Sequence, residues 1–157
     1  MKSNTIYVII LATFFISVLL LSTVSEAIHF KCKGKARCLT GIITKVIDGD
    51  TVVLNKTINI RLSLVDAPEK RDKVGWKKAT DFTTKLCLNS VAIFDEDDKQ
   101  RKGSYKRIVG VVYCGETNVN AALLDAGLAK GLSSFCKKSE FATENWASTI
   151  CQIKKKK

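Results

Sequence analysis

Three short stretches hold the residues best suited to chemistry: Ile47-Asp48-Gly49-Asp50-Thr51, Arg61-Leu62-Ser63-Leu64-Val65-Asp66-Ala67-Pro68-Glu69 and Tyr105-Lys106-Arg107. Singly, each has an ordinary reading, since Asp-Gly makes hairpin turns and an aspartate before Ala-Pro makes loops. Together they place carboxylates and arginines at the ends of adjoining strands. A carboxylate repels an anionic substrate, so paired aspartates facing phosphate make sense mainly with a divalent cation between them. Asp50 and Asp66 are the candidate ligands. Oxygen donors alone favour a hard ion, and Ca2+ tolerates an irregular shell of water and backbone carbonyl better than Mg2+ does. Glu69, three residues beyond Asp66, is a free carboxylate that could take a proton from an attacking water. Arg61 and Arg107 can hold phosphoryl oxygens in a bidentate fashion as charge builds in a transition state, which Lys would do less well.

Composition narrows the partner before it narrows the reaction. The chain has 157 residues, 46% apolar and 26% charged, enough for one modest globular domain. Twenty-six Lys and Arg against fifteen Asp and Glu give a net charge of +11, which points to a polyanion such as nucleic acid or to an anionic surface. The single histidine, His29, excludes multi-histidine zinc sites, paired-imidazole phosphodiesterases and Ser-His-Asp triads. Any hydrolysis must then rest on carboxylates, arginines and a hard metal.

Residues 1–27 differ from the rest. Lys2 precedes an apolar run from Ile6 to Leu21, and small and polar residues continue to Ala27, the layout of a secretory signal peptide cleaved near Ala27. Extended to Val24 the run approaches a bilayer span, so residues 6–24 kept as a membrane anchor are the alternative. Both readings put the body outside the cytoplasm. Its six cysteines, Cys32, Cys38, Cys87, Cys114, Cys136 and Cys151, argue for three disulfides in an oxidising compartment. Their spacing matches no zinc module. Cys87 closes an expected helix and Cys114 an expected strand, so that pair is the preferred bridge, while Cys32, Cys38, Cys136 and Cys151 stay unassigned.

The elements that must position the chemistry emerge from periodicity. Gly41 to Ile47 and Thr51 to Leu54 flank Asp48-Gly49 as a hairpin. Ile58, Ile60, Leu62 and Leu64 alternate with Asn59, Arg61 and Ser63, a half-buried strand with Arg61 on its polar side, ending near Pro68. Gly75 to Leu88 has helical spacing, and Val91 to Phe94 and Ile108 to Tyr113 read as further strands, with Gly110 marking a bend or close approach. Asn118 is a plausible N-cap for one helix and Ser139 for a final helix carrying Ala142, Trp146 and Ile150. Five strands interrupted by a helix after the third suit a mainly β, α+β fold: a small closed barrel of the oligonucleotide/oligosaccharide-binding (OB) type with three helices. The expected organisation is a leader or anchor at 1–27, a Cys-containing lead segment at 28–39, the barrel domain at 40–153 and a solvated basic tail at 154–157.

With Asp-Gly-Asp-Thr, Arg-x-x-x-Val-Asp-x-Pro-Glu and Tyr-x-Arg in this order, the chain resembles the staphylococcal (micrococcal) nuclease family, the thermonucleases, from about Thr40 to Lys130 and more weakly to Ile150. The resemblance implies an OB barrel of that nuclease type and Ca2+-dependent endonucleolytic cleavage of DNA and RNA to 5′-hydroxyl and 3′-phosphate ends. Carried over by motif, Asp50, Asp66 and the backbone carbonyl of Ala67 would ligate Ca2+. Glu69 would be the general base, Arg61 and Arg107 would bind the scissile phosphate, and Tyr105 would contact the nucleotide. Two positions depart from the pattern. Lys106 stands where the family usually has Gly, and Ser133 falls where it has a base-stacking Tyr, which implies either a lower nucleotide affinity or a shift of stacking to Phe135.

The competing reading is a noncatalytic nucleic-acid-binding module on the cell exterior. A monomer is expected, with no protein partner implied and membrane contact only through residues 6–24. Asp95 to Asp98 read as a solvated acidic loop, since their spacing fits no EF-hand. Lys99, Arg101 and Lys102 come next on a loop that either steers substrate or is simply solvated. Trp76, Phe82 and Trp146 read as core residues from their helical phase.

Overall fold

A computed structural model describes residues 32–103 and 105–151. The leader or anchor at 1–27, His29 and the basic tail at 154–157 lie outside the described residues. Strand β1 (Cys38–Asp48) turns through Gly49-Asp50 into β2 (Thr51–Leu54), which pairs antiparallel with β3 (Ile58–Leu62). The first half of β1 pairs with β5 (Val91–Glu96), its second half with β2, and register shifts between Ile43 and Lys45 and between Val46 and Asp48 bend it from one neighbour to the other. β5 pairs with β6 (Ile108–Cys114), and β6 runs parallel to β3, with Arg61 opposite Val109. That last pairing closes a five-stranded mixed barrel, so each of the five has a neighbour on both sides. Two short pairings complete the sheets: β7 (Thr117–Asn118) on β6, and β4 (Val65–Asp66) with β8 (Lys130–Gly131).

The expected five strands are thus present, with two shifts. β1 starts at Cys38, inside the lead segment, and β3 stops at Leu62 because Leu64 takes a left-handed turn at φ 61° and starts the chain into β4. Ile43, Leu54, Ile60, Phe94 and Leu123 fill the barrel with no exposed surface. Gly110 is the close approach that its place in a strand suggested: a Cβ there would lie 2.0 Å from the Asp95 carbonyl oxygen.

Helix α1 (Lys73–Cys87) is capped by Asp72, whose side chain accepts from the Gly75 N–H. It buries Ala79, Thr83 and Cys87 against the barrel. Helix α2 (Val119–Asp125) has the expected Asn118 cap. The final helix differs from expectation. Ser139 does cap, accepting from the Phe141 N–H, but the chain then runs through 3₁₀ turns at Glu140–Thr143 and Asn145–Ala147 into one short helix, α3 (Ser148–Cys151). A further 3₁₀ segment spans Ser133–Lys138. Phe82 and Trp146 pack on buried clusters as expected, whereas Trp76 is half-buried with its indole N–H unpaired and Lys70 near its ring.

All six cysteines are paired. The expected Cys87–Cys114 bridge ties α1 to β6, Cys32–Cys38 closes a small loop before β1, and Cys136–Cys151 joins the 3₁₀ segment to α3.

The acidic run is not a solvated loop. Asp95, Glu96 and Asp97 are all buried, each at 3% exposure or less. Their charges are met by donors distant in sequence. Asp95 accepts from the Lys33 N–H, Glu96 from the Arg37 guanidinium at 2.7 Å, and Asp97 from the Ser63 hydroxyl and the Glu140 N–H. Asp98 takes the backbone N–H groups of Lys35 and Ala36. A charge run reads as surface from its pattern, but donors from another segment can satisfy a carboxylate inside.

Burial pushes the Asp95 carboxyl up to about 6, with the Lys33 N–H pulling the other way. A carboxyl raised in the folded state binds its proton there more readily than in the unfolded chain, so it subtracts stability above that value and ceases to do so near pH ~4. Asp95→Asn should therefore raise the melting temperature at pH 8 relative to the unaltered chain, and the difference should vanish toward pH 4. Thermal melts across that range read it directly, and a variant less stable at pH 8 would contradict it.

Candidate active site

Helix α1 places the first carboxylate. Gly49 lies under it so closely that a Cβ there would be 2.6 Å from the Ala79 Cβ, and the Thr83 hydroxyl donates to the Gly49 carbonyl at 2.7 Å. The β1–β2 turn is thereby fixed, and Asp50 within it is 5% exposed. Arg61 comes from β3: its Nη1 lies 2.7 Å from Asp50 Oδ2 and donates to the Val65 carbonyl at 2.7 Å. Its Nη2 lies 3.0 Å from Asp66 Oδ1 on β4. One guanidinium therefore bridges both candidate ligands. The Ala67 N–H also donates to Asp50 Oδ2, so the turn, β3 and the start of the Pro68 loop converge on a single carboxylate.

Arg107 precedes β6, which lies parallel to β3. With Arg61 opposite Val109, Arg107 stands two residues along and on the same side of the sheet. Its Nη1 reaches the Thr51 hydroxyl at 3.4 Å, and that hydroxyl donates to Asp50 Oδ1 at 3.2 Å. Arg61, Asp66, Arg107, Gln100, Leu132 and Phe135 line one cleft of about 270 Å³. Glu69 is exposed and lines an adjoining cleft of about 300 Å³ with Arg71 and Lys130, the two clefts sharing Asp66. The structure therefore gathers Asp50, Asp66, Arg61 and Arg107 tightly and sets Glu69 across Asp66 from them. Tyr105 is 91% exposed, with the Arg107 guanidinium 5.9 Å from its ring centroid. Lys106 sits at φ 60°, the left-handed region in which Gly is at ease, matching the residue type it replaces in the family pattern.

Two contributors have no sequence signal of their own. Thr51 belongs to the quoted motif, yet nothing in its type marks it as the link between Asp50 and Arg107. Thr83 lies on a helix and holds the turn only through its contact with a backbone carbonyl.

Burial pushes the Asp50 carboxyl up to about 6 although Arg61 beside it pulls the other way. The pocket is thus more comfortable without the negative charge than with it, while Arg61 has two carboxylates to answer. Asp50→Asn should leave the unfolding free energy at pH 8 equal or higher. Arg61→Met should destabilise by about 3 kcal/mol, since it strands a buried carboxylate. Urea titrations of the two variants check this asymmetry, and equal losses would refute it.

The side-chain donors of the candidate ligand set are oxygens alone, and among the described residues no group of three or more His, Cys, Asp or Glu side chains forms a metal cage. Comparison with known proteins agrees with the geometry. Residues 59–155 match the model of the staphylococcal nuclease homologue family. The chain is 34% identical over 139 residues to a thermonuclease of Staphylococcus hyicus, covering 82% of this chain and 80% of that one. It is 31% identical over 91 residues to an uncharacterized endonuclease of Haemophilus influenzae and 34% identical over 93 residues to one of Escherichia coli. Those matches cover 55% and 57% of this chain and 49% and 58% of the relatives. On a closed barrel, with paired arginines over bridged aspartates and a match across most of its length, the chain belongs to the staphylococcal nuclease family.

Proposed function

We propose that this nuclease is an exported, Ca2+-dependent endonuclease that hydrolyses phosphodiester bonds of DNA and RNA, leaving 5′-hydroxyl and 3′-phosphate ends. The observation that carries the reading is the placement of Arg61 on β3 and of Arg107 just before the parallel-paired β6, on the same side of the sheet and lining one cleft with Asp66. Two guanidiniums so placed match the oxygens of one phosphoryl group. Three disulfides support export.

Asp50, Asp66 and the Ala67 carbonyl would hold the cation. A small all-oxygen donor set leaves much of the coordination shell to water, which suits a hard divalent ion and Ca2+ in particular. When bound, the ion supplies positive charge against the phosphate and lowers the cost of bringing an anion to two carboxylates. Arg61 and Arg107 orient the phosphoryl group and meet the charge that develops on its oxygens. Water forms the new bond to phosphorus as the bond to the 5′ oxygen breaks. Glu69 accepts the proton that the water loses, and the departing oxygen gains one to become the 5′-hydroxyl. Tyr105 and Phe135 provide aromatic surface for the nucleotide, each stacked base contributing roughly 1 to 3 kcal/mol.

A plasmid-nicking assay on oxidised full-length protein tests the reading. Nicking should occur in Ca2+ and cease in EGTA. DNA that stays intact in Ca2+ while the protein still binds it would favour the noncatalytic module. Glu69→Gln should lower kcat at least a hundredfold with oligonucleotide affinity nearly unchanged, because it removes a base without removing a ligand. Equal loss of rate and binding would contradict the role given to Glu69. Arg107→Lys should lower kcat/KM through lost bidentate geometry, and wild-type kinetics in that variant would remove Arg107 from the site.

A further inference from the structure

The wall of the cleft formed by Phe135 has little of its own to stand on. The segment Ser133–Lys138 buries no side chain, and Phe135 is 40% exposed. At its start the Leu132 N–H donates to the distant Leu64 carbonyl, and within the turn the Phe135 N–H donates to the Leu132 carbonyl, both at 3.0 Å. Beyond Leu132 the anchorage comes from the neighbour of Phe135. Cys136 is bonded to Cys151 at the end of α3, and both sulfur-bearing residues lie against Leu64, Val111, Phe141 and Ala147, a cluster separate from the barrel interior. The residue before Cys151 grips the other end of the same turn. Ile150 covers Gly131 so closely that a Cβ on the glycine would be 2.5 Å from its Cγ1. Helix α3 therefore touches the chain on both sides of Phe135, through Gly131 before it and Cys136 after it.

We propose that the Cys136–Cys151 disulfide is a positioning element for substrate binding, fixing Phe135 as a base platform in the cleft that Arg61 and Arg107 also line. The proposal rests on the nucleic-acid reading of that cleft. Because no side chain of the 3₁₀ segment is buried, the cross-link is the one covalent tie that holds its far end to the fold, and an unfixed ring forfeits stacking through the entropy of holding it in place. The Cys87–Cys114 bridge differs in kind, since it joins α1 to β6 inside the main core and neither residue lines the cleft.

The test uses the full chain with a fluorescent single-stranded oligonucleotide at 10 °C, reading anisotropy for binding and cleavage for turnover. Cys136→Ala/Cys151→Ala should raise Kd and KM about tenfold, the loss of one stacked base, with kcat within about twofold. Phe135→Ala should give the same rise, and the triple variant should be no worse than either, because all three changes remove one platform. Losses that multiply, or a double variant with unaltered KM beside an impaired Phe135→Ala, would overturn the proposal. Should the double variant not fold by circular dichroism, Ile150→Ala keeps the disulfide and loosens the same turn. It should raise KM two- to threefold with kcat retained, and an unchanged KM there would equally overturn the proposal. An oligonucleotide that fails to bind the unaltered protein would instead refute the function assigned to the cleft.

Discussion

The contact on which the rest depends is the Arg61 guanidinium shared between Asp50 and Asp66. It joins a hairpin turn, the barrel strand β3 and the short strand β4, three pieces of chain that no single secondary-structure element connects. Without it the Asp50 carboxylate would stand uncompensated where burial already disfavours its charge. The barrel is the frame that delivers these three pieces to one point. α1 presses on Gly49, the antiparallel β2–β3 pair sets Thr51 opposite Arg61, and β4 is held by β8.

Much of this is visible in the sequence because it is local. Alternation along Ile58 to Leu62 gives the strand and the side on which Arg61 lies, and Asp48-Gly49 gives the turn that holds Asp50. The order of the three motifs gives the family. Sequence periodicity misses whatever depends on a partner far along the chain. Asp95 to Asp98 look like surface, yet Asp95, Glu96 and Asp98 are met by the N–H groups and guanidinium of residues 33–37, some sixty positions away, and Asp97 by Ser63 and Glu140. Glu69 sits three residues from Asp66 in sequence, but the loop after Pro68 carries it to a neighbouring cleft. The last segment has helical spacing, yet Leu132 to Ala147 must wrap closely over Leu64 and Val111, and tight 3₁₀ turns do so where one straight helix would stand off.

The disulfides obey the same division between frame and edge. Cys87–Cys114 reinforces what hydrophobic burial already holds, a helix seated on a barrel. Cys32–Cys38 and Cys136–Cys151 secure segments that bury little of their own: the short loop donating N–H groups to the acidic run, and the turn beside the cleft. A small domain stabilises such margins poorly through its core alone.

The barrel is sealed by a parallel pairing between β3 and β6, strands separated in sequence by a helix and two other strands. Arg61 and Arg107 become neighbours only through that seal. A chain still emerging from the ribosome, or one only partly collapsed, holds the two arginines apart, so the cleft they line does not yet exist. Topology itself therefore postpones that cleft, which waits on a non-local contact of the kind that forms slowly.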